Sequence, residues 1–318
     1  MRATVFVSGT LPGDGMAHLR AAHDVVHDDG GTRSAAFASC RAQVEAVVAL
    51  LTDRIDAAFL EESPRLRIVA NVAVGVDNVD VAACRARGVI VTNTPDVLTE
   101  ATADLAFGLL LAAARRIAEG DRLVRAGGFT GWTPTFMLGA RVNGTTLGIV
   151  GMGRIGQAMA RRARGFGMHA LYTQRTPLPA AMALGLGATF VPELDDLLAQ
   201  SDGVTIHCPL TPATRHLFDA ARFARMKPGA VLVNTARGPI VDEAALAHAL
   251  EHGPLAAAGL DVFEDEPRVH PSLLARPNVV LAPHIGSADR PTREAMASMA
   301  IDNVLAVLAG RAPVSPVG

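Results

Sequence analysis

The stretch TLGIVGMGRIG, Thr146 to Gly156, decides the fold of this chain. Its first five residues, Thr146 to Val150, form a short aliphatic run of the kind that makes a buried strand. Gly151-Met152-Gly153-Arg154-Ile155-Gly156 follows at once, and Gln157 to Phe166 continues without a helix breaker. Strand, glycine turn and helix in that order open a βαβ unit. The first glycine makes the tight turn, the second lets the backbone approach an anion, and the third lets helix and strand pack closely. Free N–H groups at the helix start favour a pyrophosphate there, which makes Gly151, Gly153, Arg154, Ile155 and Gly156 candidate dinucleotide contacts. A glycine-rich turn used only for packing is the competing reading, and the presence of both flanking elements weighs against it.

Outward from this unit, short runs of Val, Ile and Leu alternate with Ala-rich helical stretches, the pattern of parallel strands joined by crossover helices. The class is α/β, and the expected strands are Thr4 to Val7, Ile68 to Val72, Ile90 to Thr92, Thr146 to Val150, His169 to Tyr172, Gly203 to His207, Ala230 to Asn234, Ala256 to Asp261 and Val279 to Ala282. Ligands in such sheets bind beyond the carboxyl ends of the strands. Because the fingerprint begins only at Gly151, roughly the first hundred residues form a separate unit, with a boundary near Asn93-Thr94-Pro95. A further helical pattern, Thr292 to Leu308, precedes a Pro-rich tail and can return to the first domain, making it discontinuous.

At 318 residues the chain suits two domains. Half of it is hydrophobic and the net charge is -2, so nothing marks it for nucleic acid or an anionic membrane. A small ligand is the default partner. The apolar run Leu105 to Ala114 falls well short of the roughly 20 residues that span a bilayer; it reads as a buried helix closed by Arg115 and Arg116. The N-terminus lacks the long apolar region of a signal peptide. Cys40, Cys84 and Cys208 are far apart, with no metal-ligand spacing, and read as reduced thiols in a cytoplasmic protein that holds no metal.

A carboxylate at the end of the second strand of such a unit accepts hydrogen bonds from the ribose 2′-OH of NAD. Here that strand ends Thr173-Gln174-Arg175-Thr176, and no acid occurs from Arg122 to Pro192. A 2′-phosphate would be held by a guanidinium with neighbouring hydroxyls. Arg175, helped by Thr173, Gln174 and Thr176, therefore argues for NADP. A solvated Arg beside a cofactor of either form, NAD included, is the alternative.

Three ionisable residues lie downstream in order: Arg237, Glu266 and His284. A 2-oxo acid presents a carboxylate beside a ketone, so its reduction needs a cation to orient the substrate and a proton donor for the oxygen that becomes negative. Arg237 follows the strand Ala230 to Asn234 and offers a planar fork that Lys cannot. His284 follows Val279 to Ala282, and an imidazole, titrating near pH 6.5, can give or take a proton at working pH. The acidic turn Glu264-Asp265-Glu266 can hold its other ring nitrogen, and spacing does not choose among the three. Taken singly, a turn Arg, a structural His and a solvated acidic turn are the plainer readings.

The motifs VGVDNVD (Val74 to Asp80), the fingerprint, HCPLTPATRHL (His207 to Leu217), MKPGAVLVNTARGPIVDEAAL (Met226 to Leu246), AGLDVFEDEP (Ala258 to Pro267) and PHIGSA (Pro283 to Ala288) together resemble the D-isomer-specific 2-hydroxyacid dehydrogenases. Within them the chain looks most like the glyoxylate/hydroxypyruvate reductase branch. The resemblance implies that Glu266, before the Pro of the EP pair, is the catalytic acid, and that the amides of Val74 and Gly75 hold the substrate carboxylate. It also implies that Pro209, Thr214, Thr235, Ala236, Asp261, Gly286 and Ser287 line the cofactor with Arg237 and His284.

The same resemblance implies a homodimer of two doubly wound, flavodoxin-like and Rossmann-like domains. The substrate domain would be 1–97 plus 288–318, and the dinucleotide-binding domain 98–287, beginning with a linking helix from Leu98 to Arg116. The expected reaction is hydride transfer from NADPH to glyoxylate or hydroxypyruvate. Reduction of bulkier acids such as 2-ketogluconate or phenylpyruvate is the nearer alternative, and a nucleotide-sensing corepressor the more distant one. The loop Phe129 to Leu138, with Trp132, Phe136 and Met137, suits either substrate-size selection or dimer packing. The first sixty or so residues carry no recognisable motif.

Overall fold

A computed structural model describes residues 2–317, which form two compact units. One contains the residues up to Leu98 together with those from Ser287 onward, and the other is Thr99–Gly286. Each is built on a wholly parallel sheet with helices in the connections, the doubly wound α/β arrangement expected from the sequence.

In the first unit the strands are β1 (Thr4–Ser8), β2 (Asp24–Asp28), β3 (Val44–Ala49), β4 (Ile68–Asn71) and β5 (Ile90–Thr92). Their order is β2-β1-β3-β4-β5, flavodoxin-like. Neither β2 nor β3 was among the expected strands. The β3 sequence VEAVVA is almost entirely buried, and a strand covered on both faces shows no alternation to tell it from a buried helix. The β2 sequence DVVHD is an edge strand with two apolar residues between acids, so its signal is weak. The helix Arg290–Leu308 packs on β3, β4 and the helix Gly15–Ala22. It begins earlier than Thr292 because Asp289 caps it, accepting the Thr292 N–H at 2.8 Å, and Pro291 is tolerated in a first turn.

The second unit contains β6 (Thr146–Val150), β7 (His169–Thr173), β8 (Ala188–Phe190), β9 (Gly203–Ile206), β10 (Ala230–Asn234), β11 (Leu255–Leu260) and β12 (Val279–Leu281). The order β12-β11-β10-β9-β6-β7-β8 reverses direction between β6 and β9, the switch point where such sheets bind ligands. The three-residue edge strand β8 also went unexpected. The helix Thr99–Ala114 packs on β10 and β11. Phe107, Leu109 and Leu110 are buried in it, and each such burial is worth roughly 1.5–3 kcal/mol. A Cβ on Gly259 of β11 would lie 2.9 Å from the Leu109 Cβ, so this approach requires glycine. Among the described residues no helix is long and apolar enough to cross a membrane.

Candidate active site

The fingerprint turn is closed by steric necessity. Gly151 has φ 96°, in the left-handed region, and a Cβ there would stand 2.6 Å from the Cys208 amide nitrogen. The turn therefore lies backbone to backbone against the residues that follow β9. A Cβ on Gly156 would meet the Gly151 carbonyl oxygen at 2.2 Å, which brings the helix Arg154–Gly165 against the turn. Gly153 is the N-cap of that helix without a side-chain cap, and a Cβ on it would meet nothing within 4 Å. Open space in front of uncapped helix N–H groups fits a dinucleotide pyrophosphate. Arg154 is exposed and Ile155 half-buried at this helix start.

The end of β7 is tied to the same turn. Gln174 accepts the Met152 N–H through Oε1 at 3.0 Å and donates through Nε2 to the Thr176 carbonyl at 2.6 Å. Thr173 is buried, its hydroxyl donating to the Pro192 carbonyl at 3.1 Å. Of the four residues expected at a 2′-phosphate, Arg175 and Thr176 are exposed, whereas Thr173 and the Gln174 amide are engaged within the protein. After β9, Thr214 donates to the Pro209 carbonyl at 2.7 Å and accepts the Thr211 N–H at 2.8 Å, so this loop holds itself. Burial pulls the His207 imidazole down to about 3, leaving it neutral beside the Thr205 hydroxyl at 2.8 Å. Burial likewise pushes the Cys208 thiol up to about 11, which keeps it protonated and unreactive at neutral pH.

Arg237, Glu266 and His284 come from the turns after β10, β11 and β12, three adjacent strands. Asn234, at the end of β10, accepts the Ala236 N–H at 3.0 Å and donates to the Arg237 carbonyl at 2.9 Å. This side-chain turn places Arg237, whose Nη1 donates to the Ala236 carbonyl at 2.7 Å. Thr235 is buried, and its Oγ1 is without a hydrogen-bond partner among the described residues. Next to Arg237, a Cβ on Gly238 would lie 1.8 Å from the Phe263 carbonyl carbon and oxygen. The Arg237 turn and the acidic turn therefore touch through bare backbone.

The geometry separates the three acids. Glu266 Oε2 lies 2.9 Å from His284 Nδ1, Glu264 Oε1 lies 2.5 Å from His216 Nε2, and Asp265 pairs with Arg268. Burial alone would raise the Glu266 carboxyl. The His284 hydrogen bond, the Phe263 N–H at 3.0 Å and the charges of His284 and Arg237 outweigh it and hold the group below the usual carboxylate range. An ionised Glu266 can only accept, so His284 Nδ1 carries a hydrogen and Nε2 is the ring atom directed elsewhere. The two side chains are 30% and 35% exposed, His284 and Glu266 respectively.

His284 itself has φ 54°, an unfavourable left-handed conformation for a residue with a side chain. Asp261 holds it there. The Asp261 carbonyl accepts the His284 N–H at 2.9 Å, and its carboxylate accepts those of Ile285 and Gly286 at 2.7 and 2.8 Å. Burial raises the Asp261 carboxyl despite these bonds.

In the first unit, the turn after β4 carries Val74 and Gly75. The Ala73 carbonyl accepts the Thr94 N–H at 2.8 Å, and the Val74 carbonyl accepts Asn93 Nδ2 at 2.8 Å. Each trans peptide points its N–H opposite to its C=O. The N–H groups of Val74 and Gly75 are thus both turned away from Asn93 and Thr94, forming a pair of donors suited to an anion. Ser287, half-buried, accepts from Arg293 Nε at 3.1 Å through its carbonyl. Neither His216 nor Glu243 carries a role expected from the sequence, because a hydrogen bond between distant loops and a carboxylate facing backbone amides leave no spacing signature.

Comparison with known proteins gives concordant matches. Residues 107–286 match the family model described as the D-isomer specific 2-hydroxyacid dehydrogenase NAD-binding domain. A glyoxylate reductase of Thermococcus onnurineus is 48% identical over 320 residues, covering 98% of this chain and 95% of that protein. A crystal structure of a Thermus thermophilus protein superposes with a TM-score of 0.92 at 46% identity, covering 99% of this chain and 100% of the other. An NADPH-dependent glyoxylate/hydroxypyruvate reductase of Sinorhizobium meliloti, solved with NADP and malonate, gives 0.89 at 37% identity, covering 100% and 97%.

Proposed function

The chain belongs to the D-isomer specific 2-hydroxyacid dehydrogenase family, in its glyoxylate reductase branch, and we propose that it uses NADPH to reduce glyoxylate to glycolate and hydroxypyruvate to D-glycerate. It is a nicotinamide-dependent 2-oxo acid reductase, and the cofactor preference and the two substrates are the further step. The observation that carries this reading is the His284–Glu266 pair, backed by the Arg237 turn at the ends of three adjacent strands.

When bound, the reduced nicotinamide supplies the hydride for the keto carbon. Gly151, Gly153, Arg154, Ile155 and Gly156 would hold the dinucleotide's pyrophosphate, Arg175 and Thr176 its 2′-phosphate, and the turns with Pro209, Thr214, Thr235, Ala236, Asp261, Gly286 and Ser287 would line the remainder. Arg237 fixes the substrate carboxylate with a charge-assisted fork and polarises the carbonyl. His284 Nε2 releases its proton to the carbonyl oxygen as negative charge develops, and the Glu266 carboxylate stabilises the imidazolium before transfer.

Initial rates with NADPH and NADH against glyoxylate, hydroxypyruvate, phenylpyruvate and 2-ketogluconate test the assignment. NADPH with the two small acids should be fastest. Arg175→Ala should lower kcat/KM for NADPH on the order of 10-fold to 100-fold, the loss of a charged hydrogen bond, and leave NADH nearly unchanged. A strong NADH preference in the unmodified enzyme would refute the NADP assignment, and no turnover of any of the four acids would refute the substrate class.

A homodimer is proposed on the surface of the second unit that exposes Ile117, Val124, Phe129, Trp132 and Leu138. Sedimentation should give twice the mass of one chain, and a monomer at micromolar concentration would reject it.

A further inference from the structure

The helix Glu243–His252 starts with a carboxylate that does not serve the helix. Glu243 is 5% exposed, and the N-cap bond comes from Asp242, which accepts the Ala245 N–H at 2.9 Å. Glu243 reaches sideways instead: Oε1 accepts the Glu264 N–H at 2.8 Å, and Oε2 accepts the His270 N–H at 3.1 Å. Those two amides bracket the segment that carries Glu266. Burying a carboxylate is costly unless its bonds are strong, and these are charge-assisted bonds to both ends of one turn. A helix-dipole acid would need no such reach, since its benefit comes from proximity to the first turn alone.

The other contacts of the turn start from Phe263 and from the Glu264 side chain. Gly238 backs onto the Phe263 carbonyl, and the Phe263 N–H donates to Glu266 Oε1 at 3.0 Å, leaving Oε2 for His284 Nδ1. On the far side, Glu264 meets His216. The amide of Glu264, which lies between Phe263 and Glu266 in the chain, is the one held by Glu243. A shift of that amide moves the Glu266 carboxylate with it.

We propose that Glu243 is a positioning residue for proton delivery: by clamping the Glu264 and His270 amides it holds Glu266 within hydrogen-bond reach of His284. This rests on the assignment of His284 and Glu266 above. Glu243→Gln replaces one acceptor oxygen with an amide that faces a backbone donor, so one end of the clamp opens without loss of volume.

The test is a double-mutant cycle on kcat for glyoxylate reduction at saturating NADPH, with full pH profiles. E266Q alone tests the catalytic assignment. E243Q should lower kcat on the order of 10-fold to 100-fold, the cost of a displaced catalytic group, with the NADPH dissociation constant unchanged. Its acidic limb should move upward, because Glu266 loses the bonds that hold its carboxyl low. In the E266Q background, E243Q should have almost no further effect on kcat. Additive losses, or an unmoved acidic limb, would overturn the proposal while leaving the E266Q result intact.

If E243Q does not fold, His270→Pro removes only the second amide, at a residue whose φ of −56° already suits proline, and His270→Ala retains that amide. The H270P loss should vanish in the E266Q background, and H270A should keep kcat. Equal loss in both, or a loss that persists in E266Q, would overturn the clamp.

Discussion

Replacement of His284 by alanine is expected to lower kcat for glyoxylate reduction by about 10²–10⁴-fold, the range that a positioned general acid contributes. NADPH affinity should change little, because the fingerprint turn, the end of β7 and the loop after β9 are held without the imidazole. Stopped-flow binding and steady-state rates on one preparation separate the two quantities, and unchanged turnover would sink the mechanism. The variant also has a pH signature. Glu266 is held low in part by His284, so its carboxyl should rise in H284A. A carboxyl depressed on folding adds stability above its unfolded pKa, and that contribution is lost as pH falls through the folded value. Acid unfolding of H284A should therefore lose less from this group than acid unfolding of the parent. Urea titrations from neutral pH to pH 3 or so would measure it.

Arg237→Lys is expected to cost about 100-fold in kcat/KM for glyoxylate, although the charge is retained. A point-charge ammonium cannot reproduce a planar two-bond contact with a carboxylate, and one lost charged hydrogen bond of about 1.5–3 kcal/mol corresponds to one or two decades of rate. The protein should stay folded, since the turn depends on Asn234 and Gly238 more than on the guanidinium. Arg237→Ala should fall further, and guanidinium added to the buffer should restore part of its activity. A lysine variant at parental efficiency would remove the fork from the account. Glu266 offers an internal check: it feels the Arg237 charge, which Lys preserves, so its pH limb should move less in R237K than in R237A.

Much of this was readable in the sequence where one local pattern carried one local consequence. TLGIVGMGRIG specified strand, turn and helix through its local order, and the structure places the steric demands for glycine at Gly151 and Gly156 and open space at Gly153. The fold class followed from alternation of strand and helix. What failed was the first unit's interior. The β3 strand is buried on both faces, so Val44 to Ala49 has no period of its own, and its identity comes from β1 and β4 beside it. At the site, residue types and order pointed to Arg237 and His284, but three successive acids are indistinguishable by spacing. The resemblance points to Glu266 through the EP pair, and the partners of the three, His216, Arg268 and His284, give the physical distinction. Thr173 illustrates the converse: its position in the chain suggests a ligand contact, yet its hydroxyl faces inward to Pro192.

The strand orders have a bearing on how the chain is made. In the second unit β6 comes first, β7 and β8 add on one side, and β9 to β12 add in turn on the other. In the first unit β2 joins one edge of β1, and β3, β4 and β5 extend the other. Every strand leaving the ribosome thus finds an open edge of a sheet already begun, and none must be wedged between two that are paired. The covers arrive on a different schedule. The helix Arg290–Leu308, which lies on β3 and β4, is synthesised only after the whole second unit, so β3 and β4 wait for that cover while the second unit is being built. Chain made after the second unit completes the unit made before it.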